Sequence, residues 1–322
     1  MYEQVDEVDG YIINMFGDKR WYKCGKLHRD NNMPAVELRM GHKEWYKEGK
    51  FHRDDGPAIE HKNGDKEWYK EGRRHRKDGP AIEETDGNKR WYIYGKLHRE
   101  DDKPAIIWYD GDEEWWQNGK RHRDNDKPAI QRTNGDKAWY IKDIRHRING
   151  PAVERANGTK KWYRKGKRHR EDGPAIEYKN GDKEWYIKGK RHRENGPAIE
   201  RVDGTKIWYK NNEYHRKDGP AIERADGDRC WYIYGKRHRD EGPAIERSTG
   251  YKEWYKNGKI YRGIETKNNQ SHQCILCKNG EITYMFSLCY HACICKSCAN
   301  TILDNTCPIC KKKSIYIQIY IT

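Results

Sequence analysis

The chain has few of the residues that fill ordinary protein cores: 6 Leu, 29 Ile, 5 Val and 3 Phe among 322 residues, well beneath the roughly 20% expected of globular chains. That shortage, with a net charge of +15, excludes a conventional aliphatic core and by itself points to disorder. No window approaches the roughly 18 apolar residues of a membrane span. The start, Met1-Tyr2-Glu3-Gln4, carries acidic residues and no apolar run, so no secretory signal is expected. Outside residues 274–310 cysteine is nearly absent, with Cys24 and Cys230 at unlike positions. A disulfide framework is therefore not expected, and a reducing compartment is, cytoplasm first and nucleus second.

Against disorder stand 13 Trp and 23 Tyr, amphipathic groups that bury area where aliphatics are scarce. Their placement is periodic. Trp recurs at 21, 45, 68, 91, 115, 139, 162, 185, 208, 231 and 254, in steps of 23 or 24 residues. Most copies read Gly-Asp-Lys-x-Trp-Tyr-x-x-Gly-Lys-x-His-Arg-x-x-Gly-Pro-Ala-Ile-Glu, as in Gly64–Glu83. An x-Gly step such as Glu71-Gly72 and an Asn-Gly step such as Asn63-Gly64 cut each copy into strand-length pieces. Read as two-residue turns, they set Trp68 opposite His75, Tyr69 opposite Arg74 and Ile59 opposite Trp68, with Arg76 level with Glu67 and Glu60. Prolines 57, 80, 151, 174, 197, 220 and 243 each follow Gly and mark strand starts. The expected fold is mainly β: an elongated antiparallel sheet of about eleven 23-residue hairpin repeats that gain stability by stacking. A small cross-braced zinc domain follows it. The boundaries read 1–16 for an N-terminal segment or partial repeat, 17–263 for the array, 264–273 for a linker, 274–310 for the finger and 311–322 for a tail.

The Trp-Tyr, His-Arg and Gly-Pro-Ala elements resemble a variant of MORN repeats common in repeat proteins of giant DNA viruses of amoebae. That resemblance covers about three quarters of the chain and implies a scaffold or binding surface, and a viral protein of the host cytoplasm. The commoner MORN pattern lacks the His-Arg and Gly-Pro-Ala elements. The His-Arg pair occurs at His28, His52, His75, His98, His122, His146, His169, His192, His215 and His238. It reads first as a part that every hairpin needs, and second as a stripe for anions or a metal. Departures gather mid-chain: Trp116 for Tyr, the extra aromatics Trp108 and Tyr109, and Asp143-Ile144 for Gly-Lys. They read as repeat drift or as a partner's hot spot.

From Cys274 the pattern is C-x2-C-x11-C-x-H-x3-C-x2-C-x8-C-x2-C, through Cys277, Cys289, His291, Cys295, Cys298, Cys307 and Cys310. Thiolate and imidazole in four pairs are the ligands of closed, tetrahedral, structural zinc sites, and two Zn2+ are expected. Cys293 is left out because using it in place of Cys295 breaks a C-x2-C pair. The spacing is that of RING fingers and most resembles the C-terminal RING of inhibitor-of-apoptosis and Mdm2-type ligases. The Cys289-Tyr290-His291 step, the Cys298-Ala299 pair and the apolar tail Ile315–Ile321 carry that likeness. It implies that Cys274, Cys277, Cys295 and Cys298 hold one ion while Cys289, His291, Cys307 and Cys310 hold the other.

By the same resemblance, Leu276, Ile302, Pro308 and Ile309 form the patch that receives a ubiquitin-conjugating enzyme, and Tyr320 touches ubiquitin across a RING homodimer made by the tails. Lys311 stands where active members usually have Arg, keeping charge but not the planar fork. Packing within the finger is the other reading of Leu276 and Ile302. The implied activity is that of a RING-type E3 ubiquitin ligase, with the array binding an unidentified protein substrate or anchoring the chain. A non-enzymatic adaptor is the alternative, in which the finger dimerises and the basic repeats bind protein, membrane or nucleic acid.

Overall fold

A computed structural model of the chain describes residues 9–265, 274–278, 281–286, 292–301, 306, 308, 313 and 315–318. It divides into two compact units, Met1–Lys167 and Arg168–Thr322. In each, the repeats form the expected mainly β, antiparallel hairpin ladder, built from strand pieces that are mostly two residues long.

One repeat shows the construction. Ile59–Glu60 pairs with Lys66–Glu67 in the register Ile59↔Glu67 and Glu60↔Lys66, and Lys66–Glu67 pairs on its other side with Ile82–Glu83. In the second unit Lys206–Ile207 is shared in the same way between Ile199–Glu200 and Ile222–Glu223. At Trp68 the chain leaves this ladder. Its N–H donates to the Ala81 carbonyl at 2.8 Å and its own carbonyl accepts the His75 N–H at 3.0 Å. Tyr69–Lys70 and Arg73–Arg74 then close a separate hairpin through Glu71 (φ 51°) and Gly72 (φ 77°), the double left-handed step of a type I′ turn. Both pairings expected across that turn, Trp68 with His75 and Tyr69 with Arg74, are present.

The other expected register is corrected by one residue. His61 N–H donates to the Asp65 carbonyl and Gly64 N–H to the His61 carbonyl, each at 2.9 Å, with Gly64 at φ +94°. This is a three-residue loop with the glycine in the left-handed position, not a two-residue turn. Glu67 rather than Trp68 therefore faces Ile59, and a one-residue slip exchanges faces. The expected place of Arg76 also changes. Its guanidinium lies 4.0 Å from the Trp68 ring centroid, and its Nη1 donates to the Pro80 carbonyl at 3.2 Å and to Glu83 at 2.9 Å. It pairs with neither Glu67 nor Glu60, because the chain beyond His75 turns toward the next repeat, where Arg76 N–H meets the Tyr92 carbonyl at 3.2 Å.

This arginine arrangement recurs at Arg53 on Trp45 and Arg123 on Trp115, and in the second unit at Arg193 on Trp185 and Arg239 on Trp231, at 3.7–3.9 Å. In the shorter loops it leaves little room before the proline: a Cβ at Gly79 would lie 2.6 Å from Arg76 Cζ, whereas the longer loops carry Met33, Lys103 and Lys127 there. Beneath the stacked pair sit the alanine and isoleucine of Pro-Ala-Ile, with Ala58, Ala81, Ala175 and Ala198 fully inaccessible. The 24-residue Trp steps come from one extra residue in the loops at Asn31-Asn32, Asp101-Asp102 and Asn125-Asp126, where both residues take left-handed φ. The following Trp45, Trp115 and Trp139 then donate Nε1–H to the carbonyls of Asn32, Asp102 and Asp126.

Two ladders of side chain on backbone join successive copies. In one, Asp65 accepts the Thr85 N–H at 2.7 Å, Asp136 that of Ala156 at 2.7 Å and Asp228 that of Ser248 at 2.9 Å. In the other, the Nδ1 of His52, His75, His169 and His215 accepts the turn N–H of Glu71, Tyr94, Lys188 and Tyr234 at 3.1–3.3 Å. The His-Arg pair is thus structural, as its first reading has it. Two copies replace the turn glycine: Asp143 accepts the Arg121 N–H at 2.8 Å and Asn212 that of Arg191 at 2.7 Å; before the first of these turns, Nδ1 of His122 is buried without a partner among the described residues. Trp116 keeps its repeat's function, donating Nε1–H to the buried Glu114 at 3.2 Å, as Tyr69 donates its hydroxyl to Glu67 at 2.9 Å.

Arg53→Lys keeps the charge and loses the flat fork, so it is expected to cost about 1–2 kcal/mol, read as a lowered urea midpoint. An unchanged midpoint removes the arginine tie from the account. Stability is also expected to depend on pH. Burial lowers His75 and His215 below the ordinary value; Lys70 and Lys77 add to this at the first, Lys210 and Lys217 at the second, where Glu213 opposes. The folded chain then binds these protons more weakly than the unfolded one. Their contribution is whole above pH about 6.5 and is lost as pH falls through the lower folded values. Asp65 and Asp136 are held below the carboxylate range, first by the N–H groups of Thr85 and Ala156. Their contribution is present above about pH 4 and lost below it. The melting temperature should fall below pH about 6.5. The double variant His75→Asn/His215→Asn keeps a side-chain acceptor and should flatten that first decline; an identical decline refutes the assignment.

Candidate metal centre

Four of the expected ligands come together. Cys274 opens a turn in which the Lys278 N–H donates to the Cys274 carbonyl at 2.8 Å, and this fold of the chain brings Cys277 round. Cys295 precedes the short helix Lys296–Ala299, whose Ala299 N–H donates to the Cys295 carbonyl at 2.9 Å. That turn sets Cys298 beside Cys295. The four sulfur atoms lie within 4.8 Å of one another. Cys274 and Cys295 are buried and Cys277 is exposed.

The fit to zinc can be tested on the sulfur geometry. Four thiolates on a tetrahedral ion at about 2.3 Å stand about 3.8 Å apart, and Cys277 Sγ and Cys295 Sγ are 3.8 Å apart. Proton affinities point the same way. Burial pushes the Cys274 thiol up, but the N–H groups of Cys277, Cys295 and Leu276 outweigh it and hold the thiol below its ordinary value. Hydrogen bonding to Cys274 leads the causes that push Cys298 up to about 12. Crowded sulfurs sharing protons are the donor set that a divalent ion replaces protons on.

The finger's small core is Ile282, Ile294 and Ala299, all buried. Tyr284–Phe286 pairs with Ala292–Ile294 on one side and with Tyr316–Gln318 on the other. Tyr316–Gln318, from the apolar tail, is therefore a strand of the finger's own sheet, and nothing in its alternating sequence distinguished that use from others. Leu276 is 49% exposed and its neighbour Ile275 41%, so Leu276 is not part of that core. Pro308 is half-buried. Cys289, His291, Cys307, Cys310, Ile302, Ile309, Lys311 and Tyr320 lie outside the described residues.

The family model for zinc fingers of C3HC4 type (RING finger) matches residues 270–317, the span that contains this cluster. No curated protein matches the chain closely enough to count as a relative. The C-terminal part of the chain is a zinc-binding RING region, and the rest is repeated hairpins.

Chelation separates the two. All 13 Trp lie at or before Trp254, so a strong chelator should release zinc, two ions per chain by metal analysis, and disorder the finger while leaving tryptophan emission unchanged. A shift in emission alongside metal loss would show that the repeats depend on the metal too.

Proposed function

We propose that the chain is a RING-type E3 ubiquitin ligase, in which the finger holds a ubiquitin-loaded conjugating enzyme and the array binds the substrate or anchors the protein. The observation that carries this reading is Leu276: an apolar side chain 49% exposed, next to the ligand Cys277, in a span that matches RING fingers. A finger that used Leu276 for its own packing would bury it. Bound zinc supplies structure alone, fixing the two ligand loops that present Leu276 and Pro308.

The chemistry is catalysis by positioning. A substrate lysine nitrogen attacks the thioester carbonyl of the loaded enzyme, an amide forms, and the enzyme's thiolate leaves. The finger contributes orientation, with Leu276, Ile302, Pro308 and Ile309 seating the conjugating enzyme and Lys311 and Tyr320 on the ubiquitin side. No nucleophile of this chain takes part. The MORN-like reading of the repeats, and a viral protein acting in host cytoplasm, fit an array of repeated hairpins that offers a binding surface.

A second reading is a non-enzymatic adaptor. It is favoured by Tyr316–Gln318, which pairs on one side only among the described strands and so offers an edge to a second finger, and by Lys311 in place of a forked cation.

Autoubiquitination of the zinc-loaded chain with a panel of conjugating enzymes decides between them. Ladders from the wild type, lost in Leu276→Ala with zinc content intact and lost in His291→Ala with zinc content reduced, are the expected outcome. Lys311→Arg should raise the rate. No ladder with any enzyme, at full zinc occupancy, leaves the adaptor.

A further inference from the structure

In most repeats the histidine is held at both nitrogens. Nδ1 takes the turn N–H of the next copy, and Nε2 faces a carboxylate two residues on: Asp30 at 3.0 Å from His28, Asp54 at 3.1 Å from His52, Glu171 at 3.1 Å from His169 and Glu194 at 2.9 Å from His192. In two repeats that carboxylate is replaced by a cation, Lys77 after His75 and Lys217 after His215. Neither Nε2 has a hydrogen-bond partner among the described residues, while Nδ1 is engaged as usual.

The same two copies share further departures. Tyr94 and Tyr234 occupy the first turn position, at φ 44° and 46°, where a bulky residue is strained. Each ring covers its histidine, with centroids 4.2 Å apart for Tyr94 on His75 and 4.3 Å for Tyr234 on His215. Each histidine also has a lysine five residues before it, Lys70 and Lys210, a feature shared with Lys23 before His28 and Lys47 before His52, where the carboxylates Asp30 and Asp54 are present. His75, Lys77, Pro80 and Tyr94 line an open groove. Asp78 and Asp218, three residues on, are turned onto Arg76 Nε and Arg216 Nε at 3.3 Å; Glu213 lies two residues before His215, and Glu100 and Asp101 line the far part of the groove at His75. The stretches 75–83 and 215–223 are identical, as are 91–96 and 231–236, so the histidine, the lysine after it and the tyrosine recur in the same sequence setting at both places.

The local balance of charge follows. A donor that in most copies meets an internal carboxylate has no hydrogen-bond partner among the described residues, and two ammonium groups act on it, opposed at His215 by Glu213. Exchanging a carboxylate for a lysine changes the site by two charges, which a dianion offsets and a monoanion does not. Ammonium groups bind phosphate as point charges without requiring a fork. We infer that His75 with Lys70 and Lys77, and His215 with Lys210 and Lys217, form two oxyanion sites that take a phosphate group where other repeats supply their own carboxylate. The tyrosine closes one side of each site. His146 is the internal contrast: its carboxylate is also missing, but Ile141 and Ile148 stand where the lysines would be, and no such site forms there.

The test uses the full zinc-loaded chain with 13C-labelled histidine rings, His75 and His215 being assigned from the His→Asn variants. It is titrated at constant ionic strength with inorganic phosphate, phosphoserine and acetate. The expected result is saturable movement of the His75 and His215 signals with phosphate or phosphoserine, at a Kd of about 10 mM or tighter. His52 and His146 should stay still, and acetate should act on none. The tighter of the two phosphate ligands identifies the source as the free anion or a monoester. Lys77→Glu with Lys217→Glu, which restores the residue type other repeats carry and should fold as they do, is expected to abolish the response and leave the melting temperature intact. Equal movement of all histidines, or no saturation, means an adventitious ion only and overturns the proposal. So does a response that survives the double charge reversal.

Discussion

The repeats depend on one contact, an arginine laid flat on a tryptophan. Arg53, Arg76 and their equivalents cover the indole at 3.8–4.0 Å and reach from there to the proline carbonyl and a glutamate. That single side chain supplies apolar cover through its flat face and hydrogen bonds through its edge. It answers the chain's shortage of aliphatics: each repeat has one isoleucine or valine and one alanine to bury, too little for a core, and the guanidinium completes the layer over the indole. In the shorter loops the guanidinium occupies the space that a Cβ before the proline would need; the longer loops keep the same contact with Met33, Lys103 or Lys127 at that place. Side-chain contact and loop length together set the residue there.

Association between copies is of a different kind. Asp65 and His52 each reach a backbone N–H of the next repeat, so every junction is made by short polar side chains acting as backbone acceptors. Such bonds are directional and individually modest; many of them in series give a ladder whose stability is a sum of near-identical junctions. The same design makes the array sensitive to protonation, because a protonated histidine has no acceptor left and a protonated aspartic acid accepts more weakly than the carboxylate.

Much of this was legible in the sequence, and the failures are informative. The Trp period, the strand lengths and the Glu71-Gly72 turn could be read because each rests on local residue type. The Asn63-Gly64 turn was misread by one residue because Asn-Gly serves both a two-residue turn and a three-residue loop with glycine left-handed, and only pairing with Lys66–Glu67 on both sides decides. Arg76 was placed on the wrong glutamate because its position depends on Trp68, a contact made across a corner that period-2 reasoning does not contain. The 24-residue steps were visible, but not that the extra residue turns a carbonyl toward the next indole. In the finger, spacing supplied the ligand set, and it was the resemblance to RING fingers that grouped Cys274 and Cys277 with Cys295 and Cys298, the four sulfurs that come together. The use of Tyr316–Gln318 as an internal strand had no local signal.

The two parts of the chain reach order by opposite routes, and this bears on how departures should be read. Among the finger's described residues a few hold the fold, four sulfurs within 4.8 Å and the buried Ile282, Ile294 and Ala299. A side chain held outside that core, as Leu276 is, stands out at once. In the array the same parts recur, so no single copy is indispensable to the plan and a copy can change its chemistry while its neighbours hold its geometry. His122 tolerates an unpartnered nitrogen under those conditions, and Glu114 accepts an indole in place of a phenol. A departure that leaves the backbone bonds intact but removes an internal counter-charge, as at His75 and His215, therefore has no structural role to account for it. In a fold where most other copies supply that charge for themselves, and where the copy at His146 lacks the lysines along with the carboxylate, the missing anion at His75 and His215 is the part of the repeat that has been left to a ligand.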